Sequence, residues 1–427
     1  MLLLFFLVST EIFASVLAVI SPLIPNNVIL VFILIAAIKL TLTMRLDLDS
    51  DPKAILLQIA VTMFYDTGVL LRFLSGAISR ISELKESFFC VSCGILLGYI
   101  IFKFISTVIP KLRPAKKLAT WITISVIVFH TAICTVYFLR KTNLGDGSIY
   151  ILRSYTFQLP ELMKLEIISI TFIVSELVKN NRKYLLLLYI TSGFCLCTLV
   201  IVFREIGTAL LIIYFTLLAA FKLSASDAEY KSKTLSFLTS KAFPLTMGTF
   251  FFVTVGIVKR LLLIRYQFRG EAGELIYGIN DKLFSISSRL SADSSQIQSA
   301  RDSLEAALPV QLQLNTELCI SHASAKTALS DYAYICIASG FGRWIAPLLF
   351  LIFALFLLLS VSKSSNVLAK AATIMILSQV WIQISGLVCK FAFTGISVPY
   401  FSPGGSSAIC SFALFTIILF SMRRKER

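Results

Sequence analysis

Apolar stretches long enough to cross a lipid bilayer recur along most of this chain, and short polar or basic segments separate them. A crossing helix needs about 20 predominantly apolar residues, because the hydrocarbon core of a bilayer is about 30 Å thick. The pattern predicts an all-α polytopic membrane protein with about 12 transmembrane helices, at residues 1–20, 27–44, 54–78, 88–109, 118–139, 160–178, 184–203, 206–221, 242–258, 332–361, 367–392 and 406–422.

Composition agrees with this fold class and excludes soluble enzyme folds. The 427 residues are 57% hydrophobic and 15% charged, whereas soluble domains are about 45 to 50% apolar and about 25% charged. Most of the nine cysteines lie inside apolar windows, where a thiol behaves as a small apolar side chain. The two histidines are too few for a His-based metal site, so we predict none.

Lysine and arginine are concentrated in alternate loops, which predicts the topology. Short cytoplasmic loops retain these residues. The basic loops follow the windows that end at residues 109, 178, 221 and 422, whereas the connections 22–26 and 394–405 contain no basic residue. Both termini are therefore expected in the cytoplasm, and the formal net charge of +16 needs no nucleic-acid partner.

One polar stretch, residues 259–331, is long enough to fold outside the membrane, and the charge pattern makes it a large extracytoplasmic loop. Within it Ile279, Leu283, Ile286 and Leu290 share one helical face. We expect an amphipathic helix that lies on the outer leaflet, caps a cavity or packs on its own loop.

Ionisable residues at the outer ends of crossings are candidates for function, because charges at membrane depth are costly. Glu161 and Lys164 share one face at the start of the window 160–178, so we expect a local ion pair or groups that line a cavity. Arg204 and Glu205 separate two windows that form either one broken helix or, as the charge pattern favours, a tight hairpin.

Asp331 ends the large loop directly before the window 332–361, so its carboxylate is expected at the outer mouth of a helix. It serves there either as a proton acceptor or as an ordinary helix start. The connection 394–407 contains two prolines, a glycine pair and four serines. Backbone of this kind occurs at membrane depth only where protein buries it or where it lines a wet cavity, which disfavours a mere linker.

These places converge on the outer face, where a substrate held in the outer leaflet would lie. A carboxylate that accepts a proton, with Lys or Arg to neutralise a lipid-linked pyrophosphate, is what a glycosyl or phosphoryl transfer requires.

Several segments resemble motifs of the SEDS family, the FtsW, RodA and SpoVE group, in the same order and with similar spacing over residues 51–427. TGISVPYFSPGGSS (394–407) is similar to G-x-P-x-P-F-x-S-Y-G-G-S-S, QLPELMK (158–164) to Q-P-S-E-F-x-K, REIGTA (204–209) to Q-P-D-L-G-T-A, SQIQS (295–299) to Y-Q-x-x-Q-S, SDYAY (330–334) to the segment H-T-D-F-I-F, and DPKAILL (51–57) to D-P-x-x-L-L. Residues 51–427 would then be the SEDS-like core. The two additional crossings in residues 1–50 resemble twelve-span, RodA-like members.

The resemblance implies a peptidoglycan glycosyltransferase of the bacterial cytoplasmic membrane. Such an enzyme polymerises lipid II at the outer face, in elongation or division, and works with a class B penicillin-binding protein that crosslinks the product. Asp331 takes the place of the family's essential carboxylate, the base for the acceptor sugar hydroxyl. The candidate substrate-binding residues are Lys164, Glu161, Arg204, Glu205, Ser402, Gly404, Gly405 and Ser406. No cofactor is implied, and a divalent cation stays open.

The chain also departs from the family pattern. Glu205 replaces an Asp, Pro403 a Tyr, Leu329 a His, and Ser339-Gly340 a Glu pair. Three alternatives therefore stay open: an O-antigen ligase or polymerase, a flippase for a lipid-linked precursor, and an inactive scaffold for a penicillin-binding protein.

Overall fold

The protein is described by a computed structural model over residues 52–74, 81–112, 148–151, 155–177, 189–190, 192–193, 196–197, 200, 205–224, 302–310, 333–361, 366–388, 396–401 and 405–423. Within these ranges it is mostly helical, as predicted. The elements are α1 (Pro52–Leu74), α2 (Ile81–Leu112), β1 (Ser148–Ile151), β2 (Tyr155–Gln158), α3 (Leu159–Leu177), α4 (Ile206–Ser224), α5 (Ala333–Phe341), α6 (Ile345–Val361), α7 (Val367–Val388) and α8 (Gly405–Arg423).

Four of these helices, α1, α2, α7 and α8, contain a stretch long and apolar enough to cross a membrane. Shorter apolar helices cover Gly207–Ala220 in α4 and Ile345–Val361 in α6. The protein is therefore a multi-pass membrane protein. The windows 1–20, 27–44, 118–139 and 242–258 and the amphipathic face at 279–290 lie outside the described residues, so the count of 12 stays a prediction.

The window 332–361, predicted as one crossing, is two helices that meet at Gly342. Gly342 has a φ of 113°, and a Cβ atom there would lie 2.7 Å from the carbonyl oxygen of Pro309. The next two amides donate to the loop segment: Arg343 N–H to Leu308 O at 2.9 Å, and Trp344 N–H to Pro309 O at 3.2 Å. The prediction of one continuous helix was wrong because Gly340, Gly342 and Arg343 interrupt the apolar window, and the loop segment at Leu308 and Pro309 binds the chain at this interruption.

Two further differences concern element boundaries. The strands β1 and β2 pair in a small two-stranded sheet before α3, where only a loop was expected.

Helix α2 begins at Ile81 rather than at residue 88 and has 32 residues. At 1.5 Å per residue it is about 48 Å long, which exceeds the thickness of the hydrocarbon core, so part of it extends beyond the bilayer.

The chain divides into two compact units. The first comprises residues 1–108, 150–157 and 289–427. In it α6 packs on α1, where the ring of Phe64 lies 5.1 Å from that of Phe350 and 4.1 Å from that of Phe353. Helix α7 packs on α8, and Asn366 Nδ2 donates to the carbonyl oxygen of Ser421 at 3.3 Å. The aromatic α1–α6 contact fixes the position of α1 beside the last loop.

Helix α2 approaches α8 through two glycines. A Cβ atom at Gly94 would lie 2.5 Å from the carbonyl oxygen of Ile409, and one at Gly98 would lie 2.4 Å from that of Ala413. Small residues allow such close backbone approach between membrane helices, where van der Waals packing replaces the hydrophobic effect as the main cause of association.

The second unit comprises residues 109–149 and 158–288, and in it α3 packs on α4. Gly193, in the window before α4, lies so close to Thr216 of α4 that an added Cβ atom would be 2.4 Å from its side chain. The two residues are equally far from the junction at Arg204 and Glu205, so the chain reverses direction there. The predicted tight hairpin is confirmed.

Substitution Gly98→Ala should lower the thermal unfolding temperature in detergent. The added methyl group meets backbone atoms of α8, which cannot move aside without separating the two helices, so we expect a loss of about 1–3 kcal/mol. The control Ile100→Leu changes an exposed side chain on the same helix and should leave the unfolding temperature unchanged. Equal unfolding temperatures for Gly98→Ala and the wild type would contradict the close packing.

Candidate functional site

The predicted site residues fall in both units and partly outside the described residues. Asp331, Arg204, Ser402 and Gly404 lie outside them, so their positions are not described. The second unit contains Glu161, Lys164 and Glu205, and the first contains Gly405 and Ser406. In the second unit Glu161 and Lys164 are brought together.

Glu161 and Lys164 form a buried ion pair in the first turn of α3. Strand β2 leads directly into the helix, and Pro160 fits its first turn because that position needs no backbone N–H partner. The Nζ of Lys164 donates to Oε1 of Glu161 at 2.6 Å, and Lys164 is 1% exposed. The ion pair expected from the three-residue spacing is confirmed.

This pair has the chemistry of a binding site for an anionic group. A lysine ammonium has three N–H donors, and within the described part of the chain Glu161 is its one hydrogen-bond partner. The other two donors have no partner among the described residues. Glu161 also lies at the positive end of the α3 dipole, which stabilises its carboxylate.

Glu205 lies at the start of α4, in the hairpin that the sequence predicted. Its carbonyl oxygen accepts the N–H of Ala209 at 3.1 Å, and its own N–H donates to the carbonyl oxygen of Val200 at 3.2 Å. The residue is half-buried. Its backbone therefore links Val200, before the junction, to the first turn of α4.

The described part of the last loop, residues 396–401, is buried in the first unit although it is neither helix nor strand. Tyr400 is 2% exposed and has a φ of 65°, a conformation that non-glycine residues rarely adopt. Its ring lies 6.1 Å from that of Phe353 and 5.4 Å from that of Phe412. A turn with these contacts is part of the core.

These ring contacts also give the depth of the turn. Phe353 lies at the middle of α6, and Phe412 lies seven residues into α8, about 10 Å along its axis. The turn therefore lies within the thickness that the two helices span. The expectation that this irregular backbone is covered by protein, rather than being a surface linker, is confirmed for residues 396–401.

Three contacts hold the turn from neighbouring helices. Gln379 Nε2 on α7 donates to the carbonyl oxygen of Ser397 at 2.9 Å. The hydroxyls of Ser397 and Ser407 share a hydrogen bond of 2.7 Å. On α1, a Cβ atom at Gly68 would lie 2.6 Å from the carbonyl oxygen of Phe401, so only glycine fits beside this backbone. Ser406 is buried in the first turn of α8, next to Ser407.

Sequence reasoning missed three residues near or within this region. Asp66 lies inside the crossing helix α1 and is 9% exposed. It is the one acidic residue between Asp51 and Glu83, so the sequence alone could have marked it as a candidate. Gln379 had no visible signal, because its partner is 18 residues away in an irregular segment. Tyr400 replaces the Phe of the quoted signature, and that difference was visible.

No group of three or more His, Cys, Asp or Glu side chains that could hold a metal ion occurs among the residues that the structure describes. The sequence left a divalent cation open, and these residues do not decide it.

No protein-family model matches the sequence, and no curated protein matches it. Solved structures do match. A chain from the structure of a peptidoglycan synthase complex, described as structural coordination of polymerization and crosslinking, has a TM-score of 0.54 at 14% identity and covers 87% of this chain and 98% of its own. The rod shape determining protein RodA of Thermus thermophilus has a TM-score of 0.46 at 13% identity (88% and 97% covered). A point mutant of that protein has a TM-score of 0.48 at 13% identity (88% and 98%).

The first of these matches shows that the chain has the fold of that component of a peptidoglycan synthase complex, over nearly its whole length. The fold agrees with the SEDS resemblance of the motifs.

Substitution Lys164→Met should destabilise the protein more than a surface substitution does. It leaves the Glu161 carboxylate buried without its cation, and breaking a buried pair from one side costs about 3–5 kcal/mol. The double variant Glu161→Gln/Lys164→Met should recover much of the loss, because no uncompensated charge remains. Thermal unfolding in detergent measures both, with Lys370→Met, at an exposed lysine, as the control. A double variant as unstable as Lys164→Met would contradict the pairing.

Substitution Tyr400→Phe should raise the free energy of unfolding, by about 1 kcal/mol, because the buried Tyr400 hydroxyl has no hydrogen-bond partner among the described residues. The same substitution at Tyr189, whose hydroxyl shares a 2.8 Å hydrogen bond with that of Thr171, should lower it by about as much. Thermal unfolding of both variants tests the difference in sign. Destabilisation by Tyr400→Phe would show that the hydroxyl has a partner such as water.

Proposed function

We propose that this protein is a peptidoglycan glycosyltransferase that polymerises lipid II into glycan strands at the outer face of the bacterial cytoplasmic membrane. The observation that carries the proposal is the buried turn of the last loop. Residues 396–401 pack between helices of the first unit, at the depth of the middle of α6. The described part of the most distinctive SEDS-like segment, residues 396–401 and 405–407 of 394–407, thus belongs to the packed first unit.

The fold supports the same function. The chain shares its fold with a chain of a peptidoglycan synthase complex that coordinates polymerization and crosslinking. A fold by itself does not specify chemistry. The SEDS-like segments at 158–164, 204–209, 330–334 and 394–407, which follow the order of the family, select glycosyl transfer from the functions that the fold could serve.

In the proposed reaction Asp331 is the general base. Its carboxylate takes the proton of the acceptor sugar hydroxyl, and the hydroxyl oxygen forms a bond to the anomeric carbon of the donor. The bond from that carbon to the lipid pyrophosphate breaks, and the pyrophosphate leaves with the bonding electron pair. Lys164 or Arg204 offsets the negative charge that develops on this leaving group.

The remaining candidates bind the substrate. Lys164 is proposed to donate to phosphate oxygens, and Glu161 orients it through the 2.6 Å ion pair. Glu205, Ser402, Gly404, Gly405 and Ser406 are proposed to contact the sugar or pyrophosphate. The lipid tail is proposed to stay in the bilayer, beside α8, whose first turn bears Gly405 and Ser406 and which is long and apolar enough to cross a membrane.

We also propose a class B penicillin-binding protein as the partner that crosslinks the glycan product. One chain of the matched synthase complex has the same fold, and that complex coordinates polymerization and crosslinking, which supports such a partner. We also propose that both termini are cytoplasmic, which the basic loops favour. In this topology Asp331 and the last loop would face the side where peptidoglycan is assembled.

The test is a polymerisation assay with purified protein in lipid vesicles, supplied with lipid II, alone and with a class B penicillin-binding protein whose crosslinking is blocked by penicillin. The wild type should give ladders of glycan strands. Asp331→Asn should lower the rate about 10²–10⁴-fold, the usual contribution of a general base, while unfolding at the wild-type temperature. Asp302→Asn, the same change at an exposed residue of the same loop, should leave the rate unchanged.

Other outcomes identify the alternatives. Full activity of Asp331→Asn would remove Asp331 as the base. A folded wild type that gives no glycan under either condition, but binds the penicillin-binding protein, would indicate a scaffold. Transfer of lipid II between leaflets without polymerisation would indicate a flippase, and use of another lipid-linked glycan would indicate an O-antigen type enzyme.

A further inference from the structure

The turn at residues 396–401 needs restraint from outside itself. Tyr400 has a left-handed backbone conformation, which is unfavourable for a residue with a side chain. Its hydroxyl is buried without a hydrogen-bond partner among the described residues. Neither feature stabilises the turn, so contacts with the surrounding helices have to hold it.

Ser397 makes two of these contacts and joins the turn to two helices. Its carbonyl oxygen accepts a hydrogen bond from Gln379 of α7 at 2.9 Å, and its hydroxyl is bonded to that of Ser407 of α8 at 2.7 Å. Gln379 and Ser407 are both buried. Ser397 itself is half-buried, so the two bonds are partly shielded from water.

The signature that this loop resembles, G-x-P-x-P, has a proline at the position of Ser397. Proline fixes its own φ near −65° through its ring. Serine leaves φ free, so the residue has to be restrained in another way. In this chain the hydrogen bond between the hydroxyls of Ser397 and Ser407 supplies that restraint. The hydrogen bond from Gln379 to the carbonyl oxygen of residue 397 adds to it, and a proline at this position would also accept that bond.

We propose that Ser397 is a positioning residue: with Ser407 and Gln379 it holds the buried turn, and through Ser407 it orients the neighbouring motif residues Gly405 and Ser406 of α8. The restraint of the turn stands on the hydrogen bonds alone. The orientation of motif residues toward a lipid-linked substrate rests on the proposed function.

The experiment is hydrogen exchange, followed by mass spectrometry, of peptides that contain residues 396–401 in the full-length protein in nanodiscs. Ser397→Ala and Ser407→Ala should each speed exchange of this segment about five- to tenfold, as expected for the loss of one neutral hydrogen bond. The double variant Ser397→Ala/Ser407→Ala should match the single ones, because all three break the same bond. Ser421→Ala, at the other end of α8 and about 21 Å away, should exchange like the wild type.

Rescue separates positioning from a general structural effect. Ser397→Pro/Ser407→Ala should return exchange to the wild-type level, because the ring replaces the lost restraint. Exchange as fast as in Ser407→Ala alone would overturn the proposal, and so would wild-type exchange in Ser397→Ala. If the proline variant does not fold, Ser397→Cys/Ser407→Cys replaces it: the oxidised form should exchange slowly and the reduced form fast. Equal exchange in both forms would likewise overturn the proposal.

The polymerisation assay on the same variants distinguishes this inference from the proposed function. Ser397→Ala should make glycan more slowly, and Ser397→Pro should restore the rate. If the wild type polymerises and Ser397→Ala does so at the same rate despite faster exchange, the positioning role is wrong. If the exchange pattern holds and the wild type makes no glycan, the restraint of the turn stands and the proposed function is wrong.

Discussion

Polar backbone that is not helical has to be covered by protein when it lies within a membrane, because lipid offers its N–H and C=O groups no partners. The arrangement of the first unit follows from this requirement. Helix α1 presents Gly68 to the carbonyl of Phe401, and α6 and α8 present Phe353 and Phe412 to the ring of Tyr400. Helix α7 supplies Gln379 to the carbonyl of Ser397. Four helices thus share the task of enclosing one short turn.

In the second unit the groups that need partners away from water are charged side chains rather than irregular backbone. Two ionised groups removed from water are tolerated when each compensates the other and the geometry is close. Glu161 and Lys164 satisfy this within one helical turn, so the pair needs no assistance from another helix to form. In the proposed function, the ion pair would hold the Lys164 ammonium in place before an anionic ligand arrives, which would limit the reorganisation that binding requires.

Features that depend on spacing within one segment were predictable, and features that depend on distant partners were not. The apolar windows gave the approximate positions of α1, α2, α7 and α8, and the three-residue spacing gave the Glu161–Lys164 pair. The charge pattern favoured the hairpin at Glu205. The restraint of Ser397 by Gln379 and Ser407 was invisible, because each partner lies on another element. The break at Gly342 had a local signal in Gly340 and Gly342, but its partner Pro309 lies in a distant segment and could not be predicted.

That break has a topological consequence. The amides of Arg343 and Trp344 donate hydrogen bonds to the carbonyls of Leu308 and Pro309. The backbone just before residue 310 is therefore bound to the backbone just after residue 342. The two ends of the sequence from 310 to 342, which includes Asp331, are thus joined by backbone hydrogen bonds. Closing a longer loop on a fixed base adds little entropic cost. The start of α6 is therefore anchored to Leu308 and Pro309 independently of how many residues separate them from Gly342.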